Sequence, residues 1–121
     1  MRRWLAAHEH EYLSFAYNVR IGAGRDPGPD YADWVRKTAV LSSQLRMDAI
    51  ATRGNHTTII ELKNVAFPSA VQELAVYGAV WASDFPQAGK PLLLLVCRGI
   101  DPGTWPTAEA AGVSVEVLGF G

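Results

Sequence analysis

The chain of 121 residues is 49% hydrophobic and carries 11 Lys and Arg against 12 Asp and Glu, a net charge of −1, with a single cysteine. That size and apolar content suit one domain with its own core, while the near-neutral balance excludes a protein that grips polyanions by bulk charge. A lone Cys97 excludes an internal disulfide, and no stretch approaches the roughly 18 to 20 apolar residues of a membrane span.

A soluble protein of a reducing, cytoplasmic compartment is therefore expected, in a cell or in an infected host. Cys97, which follows "LLLLV", reads as a small buried hydrophobe. Any nucleic acid would have to meet a local basic patch.

The first notable cluster is "HEHE", His8 to Glu11. Two imidazoles and two carboxylates could hold zinc, but no second half-site accompanies them, and a solvated leader is the default reading. From Leu13 to Ile21 the odd positions are Leu, Phe, Tyr, Val and Ile and the even ones include Ser14, Asn18 and Arg20, the alternation of a strand with one buried face. "GAGRDPGPD", Gly22 to Asp30, is too rich in glycine and proline for a regular element and reads as a long loop or an extended arm. Tyr31 to Ser43 admits two readings, a helix starting in "DYADWVRKTA" capped by Asp30 or strand material in "TAVLSSQ", and a short helix is the favoured one.

Leu45 to Thr52 and Thr57 to Lys63 are strands by composition, and Gly54-Asn55 between them suits a two-residue type II′ turn. An antiparallel hairpin follows. Val71, Leu74, Gly78 and Trp81 recur at helical spacing, placing a helix from about Pro68 to Ser83 with proline in its first turn. "PLLLLVC" is the continuous apolar run of a strand buried on both faces; Asp101 to Gly112 reads as a short helix ended by Gly112, and "VSVEVL" as a last strand. The order is α/β with crossovers, a single domain over residues 1–121 in which residues 1–44 extend a core formed by 45–121.

The hairpin makes a chemical prediction. If Gly54 and Asn55 form the turn, Asp48 lies opposite Glu61 and Arg46 opposite Lys63. Facing side chains on adjacent strands have Cβ atoms about 4.5 to 5.5 Å apart, and positions two apart share a face, so all four charges cluster. Two carboxylates held so close repel, and a divalent oxygen-seeking cation such as Mg²⁺ or Mn²⁺ relieves the repulsion by bridging them. Lys63 beside them would activate an attacking water or balance charge on a phosphate. The plainer alternative is a pair of solvent-facing salt bridges on an amphipathic sheet. At the hairpin tip, Arg53 and His56 read as a polar turn that could touch a phosphate backbone.

In order and spacing, "RMD" at Arg46 to Asp48, "ELK" at Glu61 to Lys63 and "QELAVY" from Gln72 to Tyr77 resemble the PD-(D/E)xK nuclease superfamily, particularly its RecB-like branch. The resemblance covers Leu45 to about Leu118. It implies a restriction-endonuclease-like core, a mixed central sheet flanked by helices, here with an extra N-terminal strand and a Gly/Pro-rich arm. It further implies that Asp48 and Glu61, with Leu62 between Glu61 and Lys63 as a third metal-contacting position, bind Mg²⁺ (or Mn²⁺), that Lys63 assists the water, and that Gln72 sits over the site. The implied activity is metal-dependent hydrolysis of DNA to a 5′-phosphate.

This chain departs from that pattern in three ways. Gln72 and Tyr77 are five apart where the branch places its glutamine and tyrosine four apart. Glu9 and Glu11 are candidates for the glutamate that a first helix often supplies, but a strand follows them at once. The net charge is low for a small nuclease acting alone, so a homo-oligomer or a larger assembly is expected to complete the DNA-binding surface. A second reading, from another class, is a nuclease-like fold reused as a non-enzymatic adaptor of a phage virion, in a neck, tail or packaging assembly, with the first strand and the arm reaching to partners.

Overall fold

The computed structural model describes residues 14–22, 24–26, 28–43 and 45–118. Glu9, Glu11 and the histidines beside them lie outside that set. Among the described residues five strands and three helices follow in chain order: β1 (Ser14–Ile21), α1 (Asp33–Ser43), β2 (Leu45–Arg53), β3 (His56–Ala66), α2 (Pro68–Asp84), β4 (Leu92–Ile100), α3 (Thr104–Ala111) and β5 (Val113–Val117). The strands form one sheet in the order β1-β2-β3-β4-β5. β1, β2 and β3 are antiparallel neighbours, whereas β3, β4 and β5 are parallel and joined by crossovers through α2 and α3.

The turn between β2 and β3 sits where the sequence places it. Gly54 has φ +58°, the left-handed backbone that a primed turn needs at its first central position. Pairs then run in strict register from Arg53↔His56 to Ala49↔Ile60. α2 opens on Pro68, whose missing N–H would have been unsatisfied in the first turn in any case. α3 stops at Gly112, whose φ of +70° and ψ of +28° let its N–H close back on the last turn.

Helix α2 turns Ala70, Val71 and Leu74 into the sheet, where they meet Ile50, Ile59, Leu95 and Cys97; Ala108 of α3 and Val113 of β5 complete this cluster. Each large side chain there contributes about 1.5 to 3 kcal/mol by leaving water. A smaller cluster of Ala49, Ala51, Ile60 and Val96 lies apart from it, with Leu62, Leu94 and Leu118 around it. Cys97 is buried and unpaired, as its setting in the apolar run predicts. The end of β3 is anchored by main-chain contacts: the Ala66 carbonyl accepts from the Asp101 N–H at 2.9 Å and from the Thr104 hydroxyl at 3.0 Å.

Three expectations are corrected. α1 begins at Asp33, with the Val35 and Arg36 N–H groups donating to the Ala32 carbonyl, so Asp30 does not cap it. β1 is not an outward-reaching addition, because it pairs along the whole of β2 from Ser14↔Thr52 to Ile21↔Leu45. The glycine-proline arm is tied back onto α1: Arg36 donates to both Asp26 carboxylate oxygens, at 2.9 and 2.7 Å. This solvent-facing fork holds the Asp26 carboxyl down at about 2, mainly through the Arg36 hydrogen bonds and then the Gly28 N–H. Bidentate geometry, rather than burial, is what fixes the arm.

Candidate active site

β2 and β3 are recorded as paired up to Ala49↔Ile60, and at the next step the pattern changes. The Leu62 N–H donates to Asp48 Oδ2 at 2.8 Å, so a side chain of β2 occupies a position where a strand carbonyl would stand in a continued ladder. Asp48 is thereby locked against the middle of β3, beside Glu61. β3 itself stays in register with β4 through this region, Glu61 facing Leu95 and Lys63 facing Cys97. One side of Glu61 is thus rigid sheet, and the other is the place where the sheet opens.

Glu61 is buried, its side chain 6% exposed, and its Oε2 has no hydrogen-bond partner. Its carboxyl is pushed up to about 9, first by burial and next by the Asp48 carboxyl against it, with Lys63 opposing and Glu73 adding to the rise. At neutral pH the metal-free pair is therefore held together by a proton on Glu61. Lys63 Nζ lies 3.9 Å from Glu61 Oε1 and 3.4 Å from Glu73 Oε2, bridging the strand to α2. Tyr77, one helical turn beyond Glu73, has its phenol pushed up to about 12, mainly by burial and then by Glu61, Glu73 and Asp48.

The expected trio of Asp48, Glu61 and Lys63 is thus brought together. Arg46 is not part of it. Its partner in register is Arg20 of β1, and both side chains are exposed. The expectation that Arg46 faces Lys63 continues the hairpin register past Asp48, where the ladder ends. Gln72 is exposed and lines a shallow depression with Ser69, Glu73, Val76 and Tyr77. The residue that reaches Lys63 from the helix is its neighbour Glu73. Arg53 and His56 close the hairpin as a pair at its exposed tip.

No protein-family model matches the chain, and neither does any curated protein. Solved structures do. EndoMS in its apo form superposes with a TM-score of 0.60 at 11% identity, over 99% of this chain and 46% of that one. EndoMS in complex with double-stranded DNA gives 0.59 at 14% identity, over 98% and 43%. The fold is restriction-endonuclease-like. A repair endonuclease from Pyrococcus abyssi superposes at 0.50 and 17% identity, over 61% of this chain and 33% of that one. The chain spans less than half the length of each of these three proteins. At such identities the likeness is one of backbone architecture: a mixed five-stranded sheet with α2 and α3 as its crossover helices.

Proposed function

We propose that the protein is a metal-dependent DNA phosphodiesterase of the PD-(D/E)xK type. The observation that carries this reading is the buried Glu61 carboxyl, which faces Asp48 and leaves its Oε2 without a partner. A buried polar atom left unsatisfied costs about 1 to 3 kcal/mol, and a facing carboxylate adds repulsion once both groups ionise. An arrangement that is unfavourable by itself and favourable around a hard cation is a reasonable signature of a metal site.

The donor set fits such an ion. Among the described residues no three His, Cys, Asp or Glu side chains gather into a ready-made cage. Mg²⁺ does not need one, because it is usually held by one or two carboxylates with water and substrate phosphate completing its shell. Asp48 and Glu61 would hold Mg²⁺ (or Mn²⁺) with the main chain of Leu62 as the third contact. A divalent ion bound there supplies Lewis-acid polarisation of a phosphate oxygen and a lowered pKa for bound water.

The chain's own residues do the rest. Asp48, fixed by the Leu62 N–H, presents its carboxylate at the opening of the sheet. Glu61 gives up its proton as the site is loaded. The Lys63 ammonium lies 3.9 Å from the Glu61 carboxyl and would orient the attacking water and offset the negative charge that grows on the phosphate as the P–O3′ bond breaks. The products are a 3′-hydroxyl and a 5′-phosphate. Gln72, at the rim, would contact the DNA strand above the site.

Similarity to a DNA-bound EndoMS structure supports duplex DNA as the substrate class. With a net charge of −1, a second copy or a larger assembly is proposed to supply additional basic surface. Purified protein incubated with Mg²⁺ or Mn²⁺ and plasmid or branched DNA should yield 5′-phosphorylated ends, and Asp48→Ala should abolish them. Cleavage that persists in Asp48→Ala, or none by the parent protein with either ion, overturns the proposal. The adaptor alternative draws on no observation of this site.

A further inference from the structure

We infer that Glu73 is a positioning residue that acts through Lys63, a role resting on the phosphodiesterase reading above. Lys63 carries a long flexible side chain, and an ammonium on such a stem loses its conformational freedom only where several groups hold it. Here two acidic side chains do so from different elements, the protonated Glu61 through a carboxyl oxygen and Glu73 from α2. Glu61 Oε1 lies 3.9 Å away on the same strand and Glu73 Oε2 lies 3.4 Å away on α2. The nearer partner is the one on the helix.

The placement of Glu73 follows from how α2 docks. The face turned to the sheet carries Ala70, Val71 and Leu74, with Tyr77 and Trp81 continuing the stripe. Glu73 is three residues after Ala70 and four before Tyr77, so it sits on the flank of that stripe where it meets Lys63 of β3, whereas Gln72 is exposed at the rim. Glu73 and Tyr77 also supply the four-residue helical spacing that Gln72 and Tyr77 lack. The Lys63 side chain is 34% exposed and that of Glu73 43%, so water screens the pair and its effect on stability is small. Its effect is geometric: it holds the ammonium at the mouth of the site instead of letting it fold onto Glu61 alone or swing into solvent. Substrate phosphate then meets a cation already in place.

The test reads Lys63 directly. The chain has three lysines, Lys37, Lys63 and Lys90, so their side-chain Cε signals can be assigned individually by NMR. In metal-free, DNA-free protein, Lys63 Cε should be more ordered than those of the exposed Lys37 and Lys90. Glu73→Ala should release it to their level, and Glu73→Gln, which keeps an acceptor oxygen, should hold it in between. In the cleavage assay Glu73→Ala should lower kcat by about tenfold to a hundredfold with KM changed by less than roughly twofold, and Glu73→Gln should recover most of the loss. An equally ordered Lys63 in Glu73→Ala, or a Lys63 as mobile as the other two lysines in the parent, overturns the inference. If the parent cleaves no DNA while the NMR pattern is as expected, the phosphodiesterase reading fails and the Glu73–Lys63 anchor stands.

Discussion

Asp48 and Leu62 are joined by a hydrogen bond that replaces ordinary strand pairing: the Leu62 N–H donates to the Asp48 carboxylate at 2.8 Å. A carboxylate oxygen engaged by a main-chain donor is fixed in direction. Glu61, next to Leu62, has no such donor for its Oε2 and is driven toward its acid form. One hydrogen bond thus fixes the direction of the Asp48 carboxyl, while burial first and Asp48 second keep the proton on Glu61.

Stability of the metal-free protein should fall as pH rises across neutrality. Glu61 ionises near 4.5 in an unfolded chain and is held up to about 9 in the fold, first by burial and then by Asp48. Between those values the unfolded chain binds fewer protons than the folded one, so the free energy of unfolding declines with pH. The contribution is fully present below about 4.5 and is lost as pH climbs toward about 9. Asp26, held at about 2, works oppositely and only at acid pH, its small exposed contribution fading as pH drops from 3.8 through 2. Urea unfolding in chelator from pH 5 to pH 9 should show the decline, and Glu61→Gln should flatten it. A flat parent profile would sink this account of Glu61.

Loading the site with a cation should release a proton. Because Glu61 retains its proton at neutral pH in the metal-free fold, an ion that binds both carboxylates must displace it, and apparent affinity should rise with pH. Calorimetric titration with Mn²⁺ at pH 7 in buffers of different ionisation enthalpy would report close to one proton released per ion. Asp48→Ala and Glu61→Gln should each abolish the heat. Binding heat independent of the buffer would mean that Glu61 is already ionised or is not a ligand.

Much of this site is readable from residues 45–63, because a two-residue turn at Gly54-Asn55 fixes the register of the strands it joins. Gly54 adopts the left-handed backbone that such a turn needs, so the meeting of Asp48 with Glu61 follows. The same logic misplaces Arg46 because register cannot be carried past the point where strands part, and that point is set by the Asp48 side chain rather than by any pattern of apolar residues. Glu73 is missed for another reason. Gln72 matches a motif letter, but rotation of about 100° per residue decides which neighbour faces Lys63, and that rotation is fixed by the burial of Ala70, Val71 and Leu74. The available signal was the four-residue step from Glu73 to Tyr77. The tether of the arm is not legible in the sequence, because Asp26 with Arg36 joins a loop to a helix ten residues on and leaves no periodic trace.

Tyr77 offers an optical test of the acidic cluster that needs neither metal nor DNA. Its phenol is pushed up to about 12, with burial the largest cause and the charges of Glu61, Glu73 and Asp48 adding to it. In a spectrophotometric titration the chain's four tyrosines should include one late component, absent in Tyr77→Phe. Since burial leads, Glu73→Gln should move that component down only slightly. A phenol that titrates near 10 would place Tyr77 in water rather than beside the carboxyls.

Gly54→Ala separates the turn from the site it sets up. Gly54 has φ +58°, and a Cβ built there meets nothing within 4 Å, so the cost of a methyl group is conformational rather than steric against neighbours. Holding a non-glycine residue in left-handed backbone costs about 1 to 2 kcal/mol, and the narrower freedom of alanine in the unfolded chain returns about 0.4 to 1 kcal/mol of that. The net loss should be about 1 kcal/mol in urea unfolding. Ile59→Ala removes a side chain with no exposed surface from the centre of the same hairpin and should cost about 2 to 5 kcal/mol. Because Ile50 and Ile59 stay paired and packed in the core, Mn²⁺ affinity should survive Gly54→Ala within a factor of about two. Lost affinity with little lost stability would show instead that the turn, and not the packing of Ile50 on Ile59, keeps Asp48 opposite Glu61.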